Sequence, residues 1–306
     1  MNGDSPPHPI GFSPTCWTLP PEVLSCLGRL ADDCPPRGRG WCVAAACILE
    51  ATVPKPGNVH PGASFDDLCH DELVAAALAI APVMERAPRV RLGTTIEAAV
   101  SASRAVTRSN ANLGIVLAIA PLAAVREDGP PTVAGVTDVL ARLDRDDAAA
   151  TWRAIATAAP GGLGRSARFD LHDPAPDDLL AAMREAAAHD AVARLWAEAH
   201  APLFAGPVRD LVMAVAAGMA CEDAVLHAFL AQLARTPDSL IARRHGADVA
   251  ATVSTRAAAV LGTPRVDRPA AVAAFDHDLR VPRRMNPGTT ADLIAASIYT
   301  VLRATS

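Results

Sequence analysis

From about residue 41 onward, apolar residues in this chain recur three and four positions apart, in runs broken by proline, glycine, serine, threonine or aspartate. That spacing lines up side chains on one face of an α-helix, whereas a strand needs strict alternation. Alanine and leucine with arginine and acidic fillers favour helix overall. The β-branched and aromatic runs that mark strands are nearly absent, and aromatic residues make up only 4% of the chain. The pattern predicts an all-α protein, one compact multi-helical domain of about twelve helices over 19–306, preceded by a disordered tail at 1–18. The expected helices cover roughly 20–33, 41–52, 65–86, 94–109, 112–126, 132–144, 147–158, 177–188, 190–204, 208–235 (broken near Cys221), 238–261, 268–280 and 289–304.

The net charge of -5 argues against a nucleic-acid binder, which normally shows a basic face. The longest apolar stretches are Leu113 to Val125, interrupted by Pro121, and Leu211 to Cys221. Both fall short of the ~20 residues that span a bilayer, so they read as fully buried helices and no membrane partner is expected. The first fifteen residues lack a basic region followed by an apolar core and do not read as a signal peptide. The 7 cysteines include no CxxC pair, which favours free thiols in a reducing cytoplasm. A homodimer is a possible assembly.

Against this helical background stands VPKPGNVHPG, residues 53–62. Two X-Pro steps force Val53 and Lys55 out of helical geometry, and Gly57 and Gly62 permit dihedrals that other residues avoid. Glu50 precedes this stiff loop, Lys55 and His60 lie in it, and Asp66, Asp67 and Asp71 open the next expected helix. A lysine in a rigid, glycine-containing loop can hold a phosphate, and carboxylates at a helix start can hold Mg²⁺. The bland reading makes Ser64 a cap, Asp66 and Asp67 partners of the helix dipole, and Lys55 a solvated charge.

Four more junctions carry polar residues. Arg104 and Arg108 share a helix face, and Asn110 and Asn112 follow at the start of a very apolar helix. Asn112 reads as an N-cap, or the junction forms an anion or ribose site. The glycines in APGGLGR, 159–165, follow a helix and therefore do not form a dinucleotide fingerprint. Asp238 reads as an N-cap with Arg243, Arg244 and His245 in the following turns, and Thr289 with Asp292 resembles a capping box.

Taken in order, these segments resemble the triphosphoribosyl-dephospho-CoA synthase family over residues 41–303. The resemblance rests on Glu50 with Pro54-Lys55-Pro56-Gly57, Asp66, Asn110 to Gly114, Asp238-Ser239 with Arg243 and Gly246, and Pro287 to Leu293. It implies an all-helical pentosyltransferase that moves the triphosphoribosyl unit of ATP to a hydroxyl of 3′-dephospho-CoA and releases adenine. It also implies Mg²⁺, with Asp66, Asp238 and Asp292 holding the metal or facing the sugar and Glu50 acting as base. By the same resemblance Lys55 and Arg243 bind phosphates and Asn110 and Asn112 orient the ribose. Pro56, Gly57, Asn58, His60, Arg104, Arg108, Gly114, Ser239, Asn286, Gly288, Thr289 and Thr290 complete the expected nucleotide site.

The chain has Ala111-Asn112-Leu113 where citrate-lyase-type synthases have Thr-His-Lys, and His60 where they have Asp. In both places it is closer to a subgroup of methanogens and methanopterin-using bacteria. Two other readings compete. One is an all-α isoprenoid synthase, prompted by Asp66, Asp67 and Asp71, whose spacing does not form DDxxD. The other is a helical binding or scaffold protein without catalysis.

Overall fold

The computed structural model describes residues 38–108, 112–158 and 174–304. The expected tail, helix 20–33, Asn110 and the 159–165 glycines lie outside these residues. The described chain is helical, with only isolated bridges at His60–Ala63 and Phe65–Leu68. In order, the helices are α1 Arg39–Thr52, α2 His70–Glu85, α3 Leu92–Val106, α4 Leu113–Ala123, α5 Val133–Leu140, α6 Arg145–Ala158, α7 Leu179–Ala186 and α8 Ala191–Ala197. After them come α9 Ala201–Leu203, a π turn Phe204–Val208, α10 Arg209–Ala216, α11 Cys221–Arg235, α12 Ser239–His245, α13 Ala247–Gly262, α14 Arg268–Arg280 and α15 Gly288–Arg303. Among the described residues no helix is long and apolar enough to cross a membrane. Cys42, Cys47, Cys69 and Cys221 form no disulfide among the described residues.

The fold is organised around α15. Every residue from Thr289 to Arg303 except Asp292 is buried, so this helix is enclosed on all sides. A helix that is apolar all round has to be central. It packs on α1, α4, α8, α11, α12 and the π turn, while α1 and α2 form an antiparallel pair that α3 extends. Alanine permits this closeness; Gly40 of α1 lies so near α2 that a side chain there would meet the Ala81 carbonyl.

α4 is buried from Ile115 to Ala123, as its composition predicts. Pro121 inside it has no N–H, which leaves the carbonyl four residues back, Leu117, without its helical donor. Trp196 supplies a replacement through Nε1 at 2.9 Å, and His200 Nε2 meets the next carbonyl, Ala118, also at 2.9 Å. Burial lowers the His200 pKa to about 4, so the ring that donates is neutral. Ala199 and His200 adopt positive φ of 47° and 63°, and the His200 N–H returns to Leu195, a stop that turns the chain after α8. Trp196→Phe keeps an aromatic ring in the core, removes the donor and leaves a small void. It should lower stability by about 1–3 kcal/mol, the penalty for an orphaned buried carbonyl, in urea unfolding at unchanged m-value.

Several expected boundaries move. The second apolar stretch is not fully buried: Met213 is 44% exposed, and α10 is a surface helix followed by Gly218 at φ +78°. Gly246 at φ +97° divides the single helix expected over 238–261 into α12 and α13. α2 begins at His70, not near 65, because Cys69 and Glu72 form the capping box there. Asp66 and Asp67 therefore lie in turns before it. Thr289 is likewise not a cap: α15 starts at Gly288, one position earlier.

Candidate active site

After α1 the chain leaves the helix at Val53, extended at ψ 123° as a residue before proline must be. The next turn buries Lys55, which is 1% exposed. Its ammonium pairs with Glu50 Oε1 at 3.1 Å and donates to the Glu50 carbonyl and to the Val53 carbonyl at 2.9 Å. An ammonium has three protons, and three protein oxygens meet it. The sequence reading of Lys55 as a phosphate ligand, or as a solvated charge, is thereby corrected. Lys55 neutralises a buried Glu50, 5% exposed, and ties off the α1 C-terminus.

Gly57 adopts φ +77°, and a Cβ there would fall 2.6 Å from the Met285 carbonyl oxygen. Only glycine fits where these backbones meet. The seam continues through Gly57 N–H to Asp276 Oδ1 at 2.8 Å, Asn58 Nδ2 to Asn286 Oδ1 at 2.7 Å, and Arg280 to the Asn58 carbonyl. Arg284 pairs with Asp67 and lies over the Phe65 ring at 4.3 Å. His60 sits on the edge of the seam, its proton affinity lowered by burial and by Arg280. The loop of 53–62 is thus bolted to the connection between α14 and α15.

That connection delivers the start of α15 to a meeting of helix ends. Asp238 caps α12 through Oδ1, accepting from Leu240 and Ile241 N–H at 2.9 and 3.0 Å. Its Oδ2 accepts from Thr290 N–H at 2.7 Å and Thr290 Oγ1 at 2.8 Å, in the first turn of α15. Burial raises its pKa and these four bonds oppose the rise. All four lone-pair positions are taken, so the metal-ligand role expected of Asp238 is not what its geometry fits. Asp238→Asn retains one cap but turns an amide toward Thr290. It should lower thermal stability by about 1–2 kcal/mol without any ligand present, checked by calorimetry.

Asp190 caps α8 by Oδ1 and binds Arg243 Nη1 by Oδ2 at 2.7 Å, while Ser239 Oγ accepts from the Ala191 N–H at 3.0 Å. Arg243 therefore spends one arm on Asp190. Gly114, in the first turn of α4, faces Asp292 so closely that any side chain would overlap the carboxylate. Asp292 is held proton-hungry, well above the ordinary value, by burial first and then by Glu50, Asp238 and Asp190; Arg243 opposes them. Cys47, one turn before Glu50, is pushed up by burial, Glu50 and Asp292. The C-terminus of α1 and the N-termini of α4, α8, α12 and α15 thus converge on Asp292.

Of the expected site residues, Glu50, Lys55, Gly57, Asn58, Asn112, Gly114, Asp238, Ser239, Arg243, Asn286, Gly288, Thr290 and Asp292 lie in this seam and its helix ends. Thr289 is buried beside Thr290. Asp66 is exposed in the turn before Asp67, and nothing ties it to Asp292. Arg104 and Arg108 are exposed at the end of α3, where Arg108 holds Glu72. Among the described residues no three His, Cys, Asp or Glu side chains group closely enough to hold a metal, so the Asp66–Asp238–Asp292 triad is not assembled. Sequence reasoning passed over Asp190, Asp276 and Arg280. Asp190 before an apolar run carried an N-cap signal, but its pairing with Arg243 did not. A groove of about 570 Å³, lined by Arg39, Glu85, Arg86, Pro88, Arg89, Arg126 and Asp128, lies at the far end of α1 and contains none of these residues.

The model of the CitG family, ATP:dephospho-CoA triphosphoribosyl transferase, matches residues 37–305. The chain belongs to this family. Its members are pentosyltransferases; of the residues that suggested them from sequence, Glu50, Gly114, Asp238 and Arg243 lie near Asp292, while Asp66 does not. A crystal structure from Archaeoglobus fulgidus that carries the name triphosphoribosyl-dephospho-CoA synthase shares the fold, with TM-score 0.59 at 21% identity. The alignment covers 76% of this chain and 98% of that one. Among curated proteins none matches the chain.

Proposed function

We propose that this transferase moves the triphosphoribosyl unit of ATP to an alcohol of a cofactor precursor, with Asp292 as the group that handles the proton. The acceptor is 3′-dephospho-CoA or a related precursor; His60 and Ala111-Asn112-Leu113 favour one of the methanopterin type. The observation that carries the reading is a carboxyl made proton-hungry by burial and three acidic neighbours, at the meeting of five helix ends.

Displacement at a ribose carbon passes through an oxocarbenium-like state, which needs negative charge near the sugar and a proton for the leaving base. Neutral Asp292 donates that proton to a ring nitrogen of adenine as the C1′–N bond breaks. The carboxylate it becomes then takes the proton of the attacking hydroxyl. Glu50, fixed by Lys55, serves better as standing negative charge than as a mobile base. The N-terminus of α4, which no side chain caps, and the second arm of Arg243 supply positive potential for phosphate oxygens. Mg²⁺ would be an ion carried on the triphosphate itself, since protonated Asp292 is no ligand and among the described residues no three His, Cys, Asp or Glu side chains group to hold a metal. When bound it would neutralise triphosphate charge.

The test is incubation of the purified protein with Mg²⁺-ATP and dephospho-CoA, scoring free adenine by chromatography. Adenine release that depends on an added acceptor alcohol supports the reading; intact ATP with dephospho-CoA and with ribitol-bearing pterin precursors alike overturns it.

A further inference from the structure

We infer that Asn58 reads the 6-amino group of the purine, making the enzyme selective for adenine over 6-oxo purine nucleotides. This rests on the transferase reading above.

The starting observation is a buried acceptor with nothing to accept. Asn58 is 4% exposed, and its Oδ1 has no hydrogen-bond partner. The orientation of the amide is fixed chemically. Nδ2 faces Asn286 Oδ1 at 2.7 Å and the Pro287 carbonyl at 3.4 Å, and a carbonyl cannot donate, so the nitrogen must stay on that side. The backbone is immobilised as well: the Asn58 N–H donates to the Lys55 carbonyl at 3.0 Å and Arg280 donates to the Asn58 carbonyl. Every polar atom of Asn58 is engaged except the one. Buried polar atoms left unpaired are rare enough in folded proteins to require an explanation.

The missing partner has to be a donor. That excludes the triphosphate, which at neutral pH offers acceptors only. On ATP the donors are the ribose hydroxyls and the 6-amino group. The sugar belongs at the acids, Asp292 and Glu50, where positive charge develops. Asn58 sits on Pro287, the N-cap of α15, five residues before Asp292 and therefore about 7.5 Å along the helix axis from it. A purine bonded to a sugar at Asp292 reaches over such a distance and ends in its amino edge. Arg243, whose charge acts on Asp292, also carries an unpartnered buried donor, Nε. In the transfer the C1′–N bond breaks with its electron pair passing to the base, Asp292 delivers a proton there, and the acceptor oxygen bonds C1′ and yields its proton to Asp292. Asn58 changes no bond; it holds the leaving base in place.

The wild-type protein provides the first test, without mutation. Base release is measured from ATP, from ITP, from 2′-deoxy-ATP and from purine-riboside triphosphate, which lacks the amino group. ATP should exceed ITP in kcat/KM by roughly 100-fold or more, because a 6-oxo group would face Oδ1 with a second acceptor. Purine-riboside triphosphate should fall between. Values for ATP and ITP within threefold of each other overturn the inference, and a larger loss with 2′-deoxy-ATP than with ITP reassigns Oδ1 to a ribose hydroxyl. In Asn58→Ala, checked for folding by calorimetry, the ATP-to-ITP ratio should contract at least tenfold; an unchanged ratio removes Asn58 as the reader. Equilibrium binding of ATP and ITP is measured alongside. If no base is released from any nucleotide, the transferase reading fails by itself, while equal affinities sink the Asn58 assignment.

Discussion

Asp292→Asn is expected to reduce adenine release by 10²–10⁴-fold, the usual contribution of a positioned acid–base group, while leaving the protein at least as stable as the wild type. The two effects have one cause. Asp292 is surrounded by Glu50, Asp238 and Asp190 and partly shut from water, so its ionised form is penalised. Its folded-state pKa is raised above the ordinary 3.8. Such a group contributes stability that is complete below the unfolded value and is lost as pH rises through the raised one. The amide carries no such penalty. Above the raised pKa, the variant should therefore show a higher midpoint of thermal unfolding than the wild type, with the gap closing as pH falls toward 4. Catalysis should show the counterpart: wild-type kcat declines on the alkaline side as the acid ionises. A variant that keeps more than a tenth of wild-type adenine release removes Asp292 from the chemistry.

Lys55→Met should have the largest effect on folding. It strands Glu50, 5% exposed, in a wall of protein without the cation that pairs with it, and two carbonyls lose their donor at once. Breaking a buried ion pair from one side lowers stability by about 3–5 kcal/mol. Adding Glu50→Gln should recover a large part of that loss, because the stranded charge goes with it. A denaturant series on the two singles and the double measures the coupling directly. A loss in Lys55→Met no larger than about 1 kcal/mol, with no recovery in the double, would mean that Lys55 is solvated after all.

The outline of the fold was legible because it depends on local spacing. α4 read as apolar on every side and is buried on every side, whereas the full enclosure of α15 was not read from its spacing. The N-cap at Asp238 and the break near Cys221 were also visible, since a cap or a stop involves residues within one turn. Where the reading slipped, two local signals competed: Gly246 divided a helix whose apolar spacing ran straight through it, and Cys69 with Glu72 outbid Ser64 as the start of α2. The candidate site was half legible. Its motifs stood out as proline- and glycine-shaped junctions, but their carboxylates looked interchangeable.

The sequence by itself determined the helices, the stiff loop between α1 and α2, and the set of polar residues placed at helix ends. The packing of those ends decided what each residue does. Asp238 is filled because Thr290, 52 residues away, brings two donors to its second oxygen. Asp292 is proton-hungry because α1, α8 and α12 bring three other acids toward it and Gly114 lets it press against α4. Capping and turn formation are energies of neighbouring residues, so they are written in the order of the chain. Proton affinity is a sum over everything nearby in space, in a medium whose polarity burial sets, and that sum exists only once the helices have met.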